Sequence, residues 1–209
     1  MAVAALACGI ALVDAVPGRA GTVIRGRVQL PPTALTTRFD GHRSRETLDA
    51  RDAVVYVTEA PGGKGRLGGR PGRREVDLEA DHFTPRVLPV MVGSRVRLRN
   101  HDHVYHSPFS ISAAGRLDLG DLTPGATREV RFDRPGVVNL FCELHPSAAG
   151  FVIVCPNWFF ARAAASGDYV LPPLPRGSYI VHAWHPRLGA FHRPVETTGR
   201  GLITLDLRR

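Results

Sequence analysis

Lysine, methionine and cysteine are scarce in this chain. Its 209 residues include two methionines and three cysteines, and Lys64 is the sole lysine, so arginine supplies nearly all of the positive charge behind a net charge of +8. The arginines are scattered, and no RNA- or DNA-binding module accompanies them, which argues against a nucleic-acid partner. An arginine-rich surface favours acidic protein partners or association with an anionic membrane surface.

The apolar N-terminus lacks the length of a transmembrane helix. The run MAVAALACGIALVDAV is interrupted by Asp14 and is too short to span a bilayer. Its length is that of a signal peptide, and small residues follow it. We expect export to the periplasm or another extracytoplasmic compartment, with the mature protein beginning near Gly21. Lipidation at Cys8 is an alternative, because the preceding residues loosely resemble a lipoprotein cleavage box.

Motifs of catalysis are missing as well. The chain has no Ser-His-Asp order, no paired carboxylates and no phosphate-binding loop, so we predict that it is not an enzyme. The stretch PGGKGRLGGRPGRR is rich in glycine and arginine, but it has no Gly-Lys-Ser/Thr and no helix behind it. We interpret it as a solvated, flexible linker.

Turn residues and short β-type runs are abundant. The chain contains 17 prolines and 22 glycines, and its Val-rich segments are short. This composition predicts strands joined by turns rather than helices. The segment TVIRGRVQL alternates with the strand period, and from Val76 onward such segments recur at the spacing of a sandwich. The predicted fold class is all-β.

Cys142 and His145 stand three residues apart in NLFCELHP, in a short loop between two β-type runs. His106 lies upstream in RNHDHVYHSPF, just after another predicted strand. One thiolate and two imidazoles from separate strand ends suit copper, because soft sulfur and borderline nitrogen ligands in a trigonal arrangement are typical of blue-copper electron-transfer sites.

These segments resemble the cupredoxin, or plastocyanin-like, family. HFTPRVLPVMVGSRVRLRNHDHVYHSPF and GVVNLFCELHP are similar to its two ligand-bearing segments, and the resemblance covers residues 76–156. It implies a Greek-key β-sandwich and one type 1-like copper ion bound by His106, Cys142 and His145. Within the family, the chain resembles bacterial plastocyanin-like proteins associated with methylamine utilisation.

The segments on either side resemble a carboxypeptidase-regulatory-like (transthyretin-like) β-sandwich, which those bacterial proteins also carry. GTVIRGRVQL and DAVVYVTEA look like its first strands, and LPPLPRGSYIVHAWHPRLG looks like its closing hairpin. The implied order is a signal segment (1–20), first flanking strands (21–60), a linker (61–75), the cupredoxin domain (76–156) and the last flanking strands (157–209). We expect the strands at Thr22–Leu30 and Ala53–Thr58 to pair with those around Tyr169–Leu171 and Tyr179–Ala183, which makes the cupredoxin an insertion.

The family's weak axial methionine is missing. Its position, three residues after the second histidine, is Ala148, and Met91 lies inside an apolar strand. The site is then three-coordinate, or it takes a backbone carbonyl, a water or Glu143 as its axial ligand. Because the equatorial ligands set most of the geometry, we still predict copper.

Cys155 and the histidines outside the predicted copper site are assigned other roles. Cys142 and Cys155 could form a disulfide in an exported chain, but alternation along the strand favours Cys155 as a small buried hydrophobe. His101 and His103 are interpreted as solvated turn residues, with a second metal site as the alternative. The pair His182 and His185 is interpreted as structural, since strand geometry puts its members on opposite faces, and the isolated His82 and His192 support no assignment.

The predicted function is one-electron shuttling between Cu(I) and Cu(II), with redox proteins as donor and acceptor. Two alternatives belong to other classes: a periplasmic chaperone or store for Cu(I), which uses the same residues, and a metal-free sandwich that serves as an interaction module. A reversible redox couple with an intense visible band favours the electron carrier, a colourless protein that only holds Cu(I) favours the chaperone or store, and metal analysis separates the metal-free module from both.

Overall fold

The computed structural model describes residues 21–31, 33–37, 43–59, 67–79 and 82–208. The predicted signal segment, with Cys8, and residues 61–66 of the predicted linker lie outside these ranges. Within them the chain forms nineteen strands and one 3-10 turn, Ala50–Asp52. Among the described residues, no helix is long and apolar enough to cross a membrane.

The strands follow one another along the whole described chain. In chain order they are β1 (Val23–Gln29), β2 (Thr33–Thr37), β3 (Arg43–Thr47), β4 (Val54–Glu59), β5 (Arg73–Glu79), β6 (His82–Thr84), β7 (Val87–Met91), β8 (Ser94–Asn100), β9 (Pro108–Ser112) and β10 (Gly115–Asp118). They continue with β11 (Thr127–Phe132), β12 (Gly136–Cys142), β13 (Ala149–Cys155), β14 (Phe160–Arg162), β15 (Asp168–Val170), β16 (Gly177–His185), β17 (Gly189–Thr197), β18 (Leu202–Thr204) and β19 (Leu207–Arg208). The fold is all-β, as predicted.

A central sandwich is built from the middle of the chain. One sheet has the order β10-β9-β12-β13-β7 and the other β11-β8-β5-β6. Strand β8 shows how the sequence forms it: Val96 and Leu98 are buried, and the arginines that alternate with them are exposed. Because successive side chains point to opposite faces of a strand, one face of each strand lies against a shared core. Phe132, Leu140 and Val152 also belong to this core.

A flanking sandwich is built from both ends of the chain. Its sheets are β15-β1-β18, with β19 also paired to β1, and β14-β4-β16-β17. Strand β1 pairs with β15 (Gly26 opposite Tyr169), and β4 pairs with β16 (Val55 opposite Ala183). The strand pairing expected from the sequence is therefore present. Along the chain, β5–β13 fall between the N-terminal and the C-terminal strands of the flanking sandwich. The carboxypeptidase-regulatory-like character of this sandwich and the residue boundaries of the domains stay predictions.

The first strand of the central sandwich starts among charged residues. Strand β5 begins at Arg73, inside the expected linker of residues 61–75. Its first three residues are charged and exposed, so they carry no apolar alternation that sequence inspection could detect. They are in a strand because β5 pairs in parallel with β8, with Arg73 opposite Arg95.

The two sandwiches pack against each other through a small apolar cluster. Val54 and Trp184 of the flanking sandwich contact Val87, Ile153 and Cys155 of the central one. Strand β13 is consequently buried on both faces, with Val152 and Val154 in the central core and Ile153 and Cys155 in this cluster. Its continuous burial explains the unbroken apolar run FVIVC.

Candidate metal centre

Cys142 is the last residue of β12. This strand alternates so that Val138, Leu140 and Cys142 all point into the central core, and Cys142 is 2% exposed. Phe141 and Cys142 pair with Phe109 and Pro108 at the start of β9. The sulfur therefore lies at the end of a sheet, in apolar surroundings, where a thiolate needs a compensating positive partner.

His106 reaches the sulfur from a different loop. It forms a β-bridge with Leu122 through two main-chain hydrogen bonds, of 3.1 and 2.7 Å, and its side chain is 1% exposed. The Glu143 amide donates a 3.0 Å hydrogen bond to the Ser107 carbonyl, which ties the loop after β12 to the segment that carries His106. Main-chain bonds thus hold the histidine independently of any ion.

His145 lies in the turn after β12 and is partly exposed. The amide of Ala148 donates a 2.9 Å hydrogen bond to the His145 carbonyl, which closes the turn. The rings of His106 and His145 lie with their centroids 4.5 Å apart and tilted by 40°. The buried histidine and the partly exposed one therefore converge beside the same sulfur.

The three ligand atoms have the spacing of a metal site. The Cys142 Sγ lies 3.7 Å from Nδ1 of His106 and 3.5 Å from Nδ1 of His145. Metal–sulfur and metal–nitrogen bonds of about 2.3 and 2.0 Å give roughly 3.5–3.7 Å between sulfur and nitrogen at tetrahedral or trigonal angles. Among the described residues, this is the one group of three His, Cys, Asp or Glu side chains with ligand atoms within 4.8 Å of one another.

The donor set distinguishes between metals. Structural zinc sites are almost always closed by four protein ligands, and the group found within the described residues has three members. A thiolate with two imidazoles matches the trigonal set of blue copper. The residues present therefore fit a copper ion.

Of the residues that the structure describes, none offers a thioether in the axial direction. Ala148 is 2% exposed and packs in the central core, while the side chain of Glu143 is exposed. Met91 pairs with Cys155 at the far end of β13, away from Cys142. Of the axial candidates raised by the sequence, Glu143 is not part of the ligand group in this conformation.

Hydrogen bonds around the ligands come from residues on both sides of His106. The Ser107 amide lies 3.3 Å from the Cys142 sulfur and donates to it. Asn100 is fully buried: its Nδ2 donates to the carbonyls of Val104 and Leu122, and its Oδ1 accepts from the Asp102 amide. Such outer contacts orient metal ligands and tune their basicity.

Burial controls the protonation of His106. Desolvation lowers the pKa of its imidazole below the ordinary value, and the nearby Asp102 carboxylate partly opposes this shift. The neutral ring that results at neutral pH is the form that binds a metal.

The other cysteine follows the sequence interpretation. Both Cys142 and Cys155 are free, and Cys155 is fully buried, where burial raises the pKa of its thiol. In the β12–β13 hairpin, Phe141 faces Ala149 and Gly136 faces Val154. The two cysteines therefore lie at opposite ends of the hairpin, roughly 20 Å apart at the rise of a strand, and a disulfide between them is excluded.

The remaining histidines separate into three environments. His101 and His103 are exposed in the turn before His106, outside the ligand group. His185 is buried, with Nε2 3.2 Å from the Asp49 carbonyl and Nδ1 accepting from the Arg187 amide. His182 lies on the opposite face of β16 and pairs across strands with His192, a neighbour that the sequence analysis did not foresee.

The sequence analysis also missed the outer contacts of the site. The Asp102 carboxylate contacts Nε2 of His106, and the Ser107 amide contacts the sulfur of Cys142, yet neither residue type is distinctive in a turn. The signal for His192 was present, because His182 and His192 lie at equal distances from the centre of a short turn. Hairpin register would have revealed that pair.

Comparison with known proteins finds similarity to solved structures over part of the chain. No family profile matches the chain, and no curated protein matches it. A solved structure of a "novel purple cupredoxin" from Nitrosopumilus maritimus is 27% identical over 38% of this chain and 97% of that one, with a TM-score of 0.35. A reduced amicyanin variant is 23% identical over 38% and 79%, with a TM-score of 0.36. A copper-containing nitrite reductase from Thermus scotoductus SA-01 is 24% identical over 46% and 25%, with a TM-score of 0.37.

Proposed function

We propose that this chain is an exported electron carrier of the cupredoxin type, with one copper ion held by His106, Cys142 and His145. The observation that carries the proposal is the convergence of one sulfur and two Nδ1 atoms at metal-site spacing. Copper in such a set cycles between Cu(I) and Cu(II) and so accepts and releases one electron. The chain is then a carrier and not an enzyme.

The surroundings suit this role because they hold the ligands in place. The bridge between His106 and Leu122, the bond between Glu143 and Ser107, and the turn closed by Ala148 are all made by main chain. A site held by its backbone rearranges little when the charge of the ion changes. The Ser107 amide also stabilises negative charge on the sulfur.

Exposed apolar residues adjoin both histidine ligands along the chain. Val104 and Tyr105, beside His106, are 47% and 54% exposed, and Leu144, beside His145, is 51% exposed. Exposed apolar side chains clustered at one site mark a contact surface for another protein. In this proposal the donor and acceptor proteins dock there, close to His145.

Export and a membrane-surface association belong to the same proposal. They rest on the apolar segment 1–20 and on the arginines of the outer face of β8. Arg95 and Arg97 pair with Glu129 and Glu75, at distances of 2.8 and 3.6 Å. Arg73 of β5 also lies 3.9 Å from Glu129, so three arginines share two glutamates on this face. An anionic lipid surface or an acidic partner protein suits that face.

The first test is metal analysis of purified protein, followed by its visible spectrum and voltammetry. We expect one copper per chain, an intense sulfur-to-copper band and a reversible one-electron couple. Cys142→Ser removes the band, and His106→Ala or His145→Ala weakens copper binding by tenfold to a hundredfold or more. Cys155→Ser is the matched control, because that free cysteine lies outside the ligand group.

The alternatives give different results in the same experiments. A colourless protein that holds Cu(I) without a reversible couple is a copper chaperone or store. A protein that binds no copper is a metal-free interaction module. An unchanged copper spectrum in Cys142→Ser would show that the site has been assigned wrongly.

A further inference from the structure

A second pair of imidazoles lies on the flanking sandwich, outside the metal centre. Strands β16 and β17 form a hairpin in which His182 is directly opposite His192, and the ring centroids are 5.6 Å apart at 43°. On its other side His182 is opposite Tyr56 of β4, and those two rings stack at 4.9 Å and 7°. Three rings therefore form a row across the sheet.

The ring of His182 is held in a defined orientation. Tyr56 stacks against one face, and Nε2 lies 2.9 Å from the hydroxyl oxygen of Thr58. With the proton on Nε2, the ring donates to Thr58, and Nδ1 presents its lone pair. A hydrogen bond on the second ring nitrogen is the usual way in which proteins orient a metal-binding histidine.

The other ring of the pair faces water. His192 is exposed on β17, the last strand of its sheet, whereas His182 is partly buried. A metal ion can therefore enter from solvent and keep water ligands. Cross-strand neighbours have Cβ atoms about 5 Å apart, a spacing at which two imidazoles can turn their nitrogens toward one ion.

We propose that His182 and His192 form a second, solvent-accessible site for a divalent first-row transition ion, with water completing the coordination. Two imidazoles without a thiolate suit Cu(II), Ni(II) and Zn(II). Affinity rises to Cu(II) in that series and falls again at Zn(II), so Cu(II) is bound most tightly. The proposal does not depend on copper binding at Cys142, since no residue is shared.

The test is a titration of the full chain with Cu(II), followed by electron paramagnetic resonance. The protein first receives one equivalent of copper, and a chromophoric chelator then measures the affinity for the second. We expect a second equivalent with a spectrum of nitrogen-ligated Cu(II) and without the intense visible band. His192→Gln and His182→Gln each weaken it by at least tenfold, and Thr58→Val weakens it less, as loss of an outer contact does.

Control variants separate this site from other exposed histidines. His82→Gln removes an exposed imidazole of the central sandwich, and His103→Gln disrupts the exposed pair with His101; both are expected to keep the second equivalent. The proposal is overturned if His192→Gln binds it as tightly as the unchanged protein, if His103→Gln abolishes it, or if no second equivalent binds. If the first equivalent fails to give a visible band while the second is still lost in His192→Gln, the proposed electron carrier fails and this site stands.

Discussion

The Asp102 carboxylate lies 3.4 Å from Nε2 of His106, on the ring nitrogen that faces away from Cys142. It places a negative charge one ring away from the ion that the site is proposed to hold. His106 is 1% exposed, and the Asp102 side chain is 21% exposed, so solvent screens this contact only in part. A carboxylate that accepts from a ligating imidazole makes that imidazole a stronger donor.

We predict that Asp102→Asn raises the reduction potential of the copper site. The carboxylate stabilises Cu(II) more than Cu(I), because Cu(II) carries the larger charge. A tenfold to hundredfold loss of Cu(II) affinity alone corresponds to roughly 60–120 mV for a one-electron couple. Voltammetry measures the shift, and Asp118→Asn is the control for an exposed carboxylate elsewhere in the same sandwich. Equal potentials in both variants and the unchanged protein would contradict this role of Asp102.

The axial position gives the second prediction. A thioether at residue 148 donates electron density to the ion and favours Cu(II), so Ala148→Met is expected to lower the potential. Ala148 is buried in the central core, and the larger side chain also changes packing. Ala148→Leu has a similar size without sulfur, and we expect it to leave the potential unlowered. Identical potentials in the Met and Leu variants, both with copper bound, would show that residue 148 does not face the ion.

The ion pair between the sandwiches gives the third prediction. Nη1 of Arg86, in the turn before β7, lies 2.6 Å from Oδ2 of Asp52, whose side chain is 7% exposed against 43% for Arg86. Arg86→Met leaves a buried carboxylate without its cation. We expect the free energy of unfolding to fall by about 2–3 kcal/mol, less than for a fully buried pair because Arg86 is half exposed. Denaturant titration measures the change.

Two further variants control that measurement. Arg27→Met breaks an exposed ion pair with Asp168, and we expect a much smaller loss of stability. The double variant Arg86→Met with Asp52→Asn should recover part of the loss, since the buried charge has gone. If the loss of stability in the double variant equals the sum of the losses in Arg86→Met and Asp52→Asn measured singly, the Arg86 and Asp52 side chains do not act as a pair.

The fourth prediction concerns pH. Burial lowers the pKa of His185 in the folded chain, whereas in the unfolded chain it titrates near pH 6.5. The unfolded state therefore binds more protons below about pH 6.5, and the free energy of unfolding falls as the pH drops from there through the folded pKa. The slope for one histidine is at most about 1.4 kcal/mol per pH unit.

His185→Gln tests the pH effect. Burial also lowers the pKa values of His106 and His182, so the variant is expected to lose only part of the dependence. The change in unfolding free energy between pH 7.5 and pH 5 is measured for the unchanged protein and for His185→Gln. The difference between the two changes gives the contribution of His185. Carboxylates with lowered pKa values, such as Asp49, titrate below this range. A pH dependence that is unchanged in His185→Gln would exclude this histidine as a source.

Much of the site could be predicted from local sequence. Cys142 and His145 lie on one turn because they are three residues apart after a strand that alternates in the β period. The burial of Cys155 follows from the same alternation, although its contact is with the other sandwich rather than inside its own. Strand start and end points were less predictable where charged residues form the strand, as at Arg73.

Other relationships depend on contacts between distant parts of the chain. His106 meets Cys142 across 36 residues, and Arg86 meets Asp52 across 34. The pairing of His182 with His192 depends on hairpin register, and the contact of Asp102 with His106 depends on the turn that Asn100 holds. Residue types and their local periodicity therefore determined the all-β class and the candidate ligands. Only sheet register and the packing of the sheets in the two sandwiches decided which side chains meet. Those contacts join segments that are far apart in the chain, and no local sequence pattern relates one segment to the other.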